Sequence, residues 1–197
     1  MRVMDAGSPL DVLVSLCLGV ALAAACGLRV FLPLLVAGAA ARLGYWEVAG
    51  GMSWLASTPA LVAFAVATVL ELAAYLVPWL DNALDAIGAP VAVTAGTLLV
   101  AASLGEVSPL VRWTLAVVAG GGAAGAVHGL LAVLRKASSL ATLGLANPAI
   151  GAAEGAGALL LAVFAVALPI LAAATVLLAA GLLMALARSL AARRRVA

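Results

Sequence analysis

Charge is what this chain has least of. Charged residues fill 9% of its 197 positions, against about 25% in a soluble globular domain. With 67% hydrophobic residues and a mean hydropathy of +1.29, a water-soluble fold of this size is excluded. Histidine occurs once, at His128, and cysteine twice, at Cys17 and Cys26. There is no CxxC and no Cys/His cluster, so a structural zinc site has no support. The two cysteines lie nine residues apart in one apolar segment, about 13 Å along a helix and too far for a disulfide within it. They read as small apolar fillers. Basic residues sit at ends and loops, not in a stripe mixed with aromatics, so nucleic acid is not an expected partner. Gly120-Gly121-Gly122 follows no strand and belongs to no GxxxxGK[ST] pattern, so it is not a phosphate loop. No nucleophile–base constellation is visible. No catalytic residue or cofactor is therefore assigned, and a membrane enzyme has no support here.

What the chain does have is apolar runs of membrane length. A bilayer core takes about 20 apolar residues per helix. The candidate segments are 10–41, 58–77, 90–104, 112–134, 148–168 and 170–190. The first is too long for one simple span and is interrupted by Gly27, Arg29 and Pro33, which predicts one kinked helix or a span followed by a broken or re-entrant piece. The third is short enough for a half-helix. The last two meet at Pro169 without a polar turn. The N-terminal apolar run resembles a signal peptide, but Asp5 and Asp11 make a poor n-region and the run continues past it. It is read as a retained first membrane segment.

The chain repeats itself. Ser8-Pro9-Leu10 opens the first segment, and Ser108-Pro109-Leu110 opens the fourth. Thr58-Pro59-Ala60 opens the second, and Asn147-Pro148-Ala149 the fifth. Both of those carry one Glu and end at a proline, Pro78 or Pro169. Proline in a first turn after a polar residue is a helix-start signal. The expected fold is a single all-α polytopic membrane domain over 1–197 with six segments. Repeat 1 covers about 8–105 and repeat 2 about 107–191. Three segments per repeat invert the second copy, an architecture that places sites near the bilayer midplane. Arg135 and Lys136 after the fourth segment, and Arg188, Arg193, Arg194 and Arg195 at the end, put both termini on the cytoplasmic side of an inner membrane; Arg42 and Arg112 fall outside. Trp46, Trp54, Trp79 and Trp113 lie near segment ends, as an aromatic belt requires.

Ionisable residues inside such segments are expensive, roughly 3 kcal/mol or more at the bilayer centre, and are usually partnered. Glu71 lies in ATVLELAAYLV and Glu154 in GAAEGAGALLL. The inverted topology brings both to similar depth in the cytoplasmic half, with His128 there too and Arg29 nearer the middle. These four form the expected substrate- or ion-binding cluster. Two close carboxylates suit a proton or a cation, because paired like charges in lipid are costly. A guanidinium suits a carboxylate or phosphate, and Arg29 serves equally as counter-ion to a Glu. His128 fits a proton relay or a bond to a backbone carbonyl. Asp81, Asn82 and Asp85 follow Pro78, with the two aspartates on one helical face. They mark a site mouth able to take a hard cation through oxygens, or a solvated interfacial half-helix whose N-cap is Asp81. The glycines at 120–129 and around Glu154 read as close-packing positions.

On these residues the chain resembles an uncharacterised bacterial membrane family, domain of unknown function 4126. The resemblance rests on Gly27-Leu28-Arg29-Val30-Phe31-Leu32-Pro33-Leu34-Leu35, on Glu71-Leu72-Ala73 with Pro78, Asp81 and Asp85, and on Asn147-Pro148 with Glu154. Ala74 and Tyr75 stand where the family often carries an Asp-Lys pair, and Gly155 where an acidic residue often follows the Glu. The resemblance implies the same site residues and carries no activity.

The leading expectation is a small secondary transporter or channel-like permeation protein in the lipid bilayer, for a small ion or molecule, an anion among the candidates, working as a homodimer. The alternatives are a lipid-headgroup-handling flippase or enzyme and a non-catalytic membrane scaffold. Cysteines placed singly at positions 47, 82, 137 and 197 test the topology. Positions 137 and 197 should label from the same side of the membrane; labelling from opposite sides refutes six segments with both ends inside.

Overall fold

The computed structural model describes residues 8–74, 78–105, 107–142 and 146–196. They form eight α-helices and no strand: α1 Pro9–Leu28, α2 Phe31–Arg42, α3 Thr58–Ala73, α4 Pro78–Ser103, α5 Pro109–Leu115, α6 Gly122–Thr142, α7 Asn147–Ala167 and α8 Pro169–Val196. A π-helical stretch, Ala116–Gly121, joins α5 to α6, so Pro109–Thr142 runs as one helix of 34 residues. Three helices are long and apolar enough to cross a membrane: Pro9–Leu28, Pro109–Thr142 and Ala149–Ala167. Shorter apolar stretches fill Phe31–Arg42, Thr58–Ala73, Ile87–Ser103 and Pro169–Ala185.

Helix starts follow the proline signals. Ser8 caps α1, its side chain accepting from the Asp11 N–H. Ser57, one residue earlier than the sequence suggested, caps α3 by accepting from Ala60 N–H. The first apolar run is broken between α1 and α2. The short third segment is instead the apolar end of α4, a 26-residue helix with Pro90 inside it.

Helix α1 is the centre of the fold. It is apolar all round, and Ala21, Leu22, Ala23, Ala25 and Cys26 are fully buried, as such a helix must be. It packs against α4, α6, α7 and α8. Helix α4 packs in turn on α5, α6 and the π-helical stretch, while α6 and α8 do not pack on one another among the described residues. The α2–α3 connection ties three helices together. The Trp46 indole donates to the Ala37 carbonyl at 3.0 Å, Arg42 Nη1 to Thr58 Oγ1 at 2.7 Å, and Ala49 N–H to the Ala102 carbonyl at 2.7 Å. Trp54 and Trp113 are exposed, and Trp79's side chain lies outside the described residues.

Hydrophobic burial gives helices in lipid little reason to associate, so close van der Waals packing through small residues takes its place. A Cβ on Gly120 would stand 2.4 Å from the Gly96 carbonyl oxygen, and one on Gly27 2.6 Å from that of Ala124. These glycines set how closely α4 approaches the π-helical stretch and α1 approaches α6. Gly122 and Gly129 face open space instead. Gly120→Val and Gly27→Val should therefore destabilise by about 1–3 kcal/mol through overpacking, while Gly129→Ala should be tolerated. Thermal unfolding in a fixed detergent measures the difference.

Candidate functional site

The site grows from the break between α1 and α2. Proline has no N–H and its ring clashes with the carbonyl four residues back. Pro33 therefore cannot continue a helix through Arg29, and the chain opens there. Arg29 is extended, at φ −147° and ψ 130°, with its N–H returned to the Ala25 carbonyl. Helix α2 then begins with N–H groups that have no partner in their own helix, as every helix start does.

Glu71 supplies that partner. Its Oε1 accepts from Val30 N–H at 2.9 Å and its Oε2 from Phe31 N–H at 3.2 Å. The carboxylate lies in the last turn of α3, the unfavourable end of that helix dipole, but at the favourable N-terminal end of α2. A residue 41 positions away in sequence thus does the work of an N-cap.

Arg29 turns the other way, toward α7. It is 3% exposed. Its Nη2 donates to the Gly151 carbonyl at 2.8 Å and stands 3.6 Å from Glu154 Oε2. Glu154, 5% exposed, also takes a fork from α6. Arg135 Nε donates to Oε1 at 2.9 Å, and Arg135 Nη2 donates to Oε2. Planar two-point pairing of this kind is specific to arginine. One buried carboxylate therefore bridges the α1–α2 break and α6. Beside Glu154, α7 lies close to its neighbours: a Cβ on Gly155 would meet Leu72 Cδ2 tightly, at 3.3 Å, and one on Gly157 would reach Leu28 Cδ1 at an ordinary 3.6 Å. Leu72 follows Glu71 and Gly155 follows Glu154, so the two carboxylate-bearing helices touch beside their acids.

The structure thus brings Arg29 and Glu154 into contact and sets Glu71 on the residues immediately after Arg29. His128 lies elsewhere on α6. A Cβ on Gly88 of α4 would come within 2.8 Å of its imidazole Cε1, and His128 is seven residues, about 10 Å of helix, from Arg135. The side chains of Asp81, Asn82 and Asp85 lie outside the described residues. Among the described residues no group of three or more His, Cys, Asp or Glu is placed to hold a metal ion. Arg135 is the site residue that sequence reasoning missed. Its place beside Lys136 suggests a positive flank, yet its side chain is only 15% exposed. Its register was the available signal, because seven residues is two turns and sets Arg135 on the same face of α6 as His128.

A groove of about 310 Å³ adjoins the break. Val30, Phe31 and Leu34 of the break and α2 line one side, and Pro90, Thr94 and Leu98 of α4 the other. It is almost wholly apolar.

Removing one partner of a buried ion pair strands the other. Glu154→Ala should cost about 3–5 kcal/mol, and Glu71→Ala about 1–2 kcal/mol as a lost cap. Glu71→Gln keeps one acceptor and should cost less. Unfolding of the purified protein in lipid–detergent mixtures ranks the three, and an Ala variant at 154 as stable as the parent contradicts the bridging role.

No curated protein and no solved structure matches the chain. The family described as "Domain of unknown function (DUF4126)" matches residues 16–189. Those residues hold the break at Arg29, both glutamates and Arg135, and the chain belongs to this family.

Proposed function

We propose that this protein is a small membrane transporter whose working charge cluster is Glu154 with its two arginines. The observation that carries this reading is a single buried carboxylate within reach of guanidinium groups on two separate elements, Arg29 at the helix break and Arg135 on α6. A pair made only for packing needs one partner. A carboxylate with two can exchange them, and a proton or a substrate anion competes for the same positions. The broken α1–α2 helix supports the same reading, because discontinuous helices whose ends face polar groups recur at transporter sites. The proposal includes two inverted repeats in an inner membrane, with both termini cytoplasmic. Matched helix starts at Pro9 and Pro109, Thr58 and Asn147, and Pro78 and Pro169 support the repeats. So does the crossed packing, in which α1 meets α8 and α6 meets α4.

In this scheme Glu71 holds the break, Arg29 and Arg135 hold Glu154, and a small anion enters by displacing the carboxylate from one arginine. The apolar groove beside the break favours a second reading, in which a lipid chain lies there while the cluster handles its headgroup.

Purified protein in sealed vesicles, assayed electrically with a panel of small carboxylates, inorganic phosphate and a proton gradient, tests the first reading. Transport is expected in the parent and lost in Glu154→Gln, which retains the shape and loses the charge. A Gln variant that inserts normally and transports like the parent makes the cluster structural. Tightly bound phospholipid in native mass spectra, with no flux, moves the assignment to lipid handling.

A further inference from the structure

Resting on the transport reading, we infer that Arg135 is the latch of a gate formed by the α6–α7 seam. Helix α7 packs extensively on α1 and also on α2, while it meets α6 over a short stretch only. That thin seam is bridged by the Arg135–Glu154 fork. A seam bridged by charge can open at a lower packing cost than one filled with interlocked small side chains, whose contacts are lost together.

The order of burial says which side opens. Side-chain exposure falls from 15% at Arg135 to 4% at Glu154 and 3% at Arg29. Arg135 is the outermost member, so its departure uncovers the carboxylate from the α6 side and leaves Arg29 behind it. Opening then does not strand a buried charge, which would cost several kcal/mol. Glu154 keeps Arg29, already 3.6 Å away, and closes onto it. Arg135 has a long aliphatic stem and can carry its head outward to water as α6 moves. Arg29 has no such freedom of movement, because its guanidinium is bonded to the Gly151 carbonyl and its own N–H to Ala25. Arg135 is thus a positioning residue that moves, and Arg29 the one that stays.

Hydrogen–deuterium exchange on the full chain in lipid nanodiscs tests this without a substrate. In Arg135→Gln the amides of residues 150–158 should exchange about tenfold faster or more, while those of 21–26 in α1 keep the parent rate. Arg135→Lys, which keeps charge and loses the fork, should lie between. Unchanged exchange at 150–158 overturns the latch whatever the flux. A rise spread equally over α1 and α7 also overturns it, since a purely structural arginine would loosen the whole bundle. If Arg135→Gln does not insert, Arg135→Lys is read by the same two criteria. Exchange confined to the seam, in a protein that transports nothing on the panel, upholds the latch and removes the transport reading alone.

Discussion

The Glu71 carboxylate sits on the first two N–H groups at the start of α2, and most of the polar architecture depends on that contact. A helix broken inside an apolar bundle exposes backbone donors, and leaving such groups unsatisfied is costly. Glu71 offsets that cost by accepting from both groups. Without the break, Arg29 would be one more helical side chain; with it, the residue is extended and its guanidinium reaches α7. The contact therefore acts on two levels. It satisfies backbone groups locally, and it fixes where the buried arginine points.

Around this core the helices are held by shape. The fully buried half of α1 is mostly alanine, and the contacts of α4 and α1 with α6 are set by Gly96, Gly120 and Gly27. Small residues let backbones approach within van der Waals range, which is the main attraction left in a solvent as apolar as the side chains themselves. Threonine and serine hydroxyls follow the same rule of internal satisfaction: Thr68, Thr94, Thr97 and Ser103 each donate to the carbonyl one turn back. The side chains of Arg29, Glu154 and Arg135 stand apart, joining different helices to one another. Glu154 is where those links converge, reached from two separate elements.

By itself the sequence determined the solvent and the punctuation. Charge scarcity and apolar run length required helices in lipid, since no other arrangement satisfies the backbone of such a chain there. Proline after a serine or threonine marked helix starts at 9, 58 and 109, and Pro33 forced a break near Arg29. The cost of a carboxylate in an apolar run singled out Glu71 and Glu154, an argument that needs only one residue and its immediate neighbours. The resemblance to the family was legible from the same breaks and acids, and the family match spans residues 16–189.

Partnership was decided only by the tertiary structure. The sequence places Glu71 in a cluster with Arg29, His128 and Glu154; that it accepts from two backbone N–H groups follows from how α3 meets the break, not from residues adjacent in sequence. His128 packs against Gly88, and Arg135, read as a loop charge, reaches Glu154, because a 34-residue helix carries its end farther along the bundle than a segment count assumes. Depth along a helix can be counted from sequence at 1.5 Å per residue. Which neighbour stands opposite at that depth is a property of packing angles and rotations, and those are set by glycine contacts distributed over the whole fold.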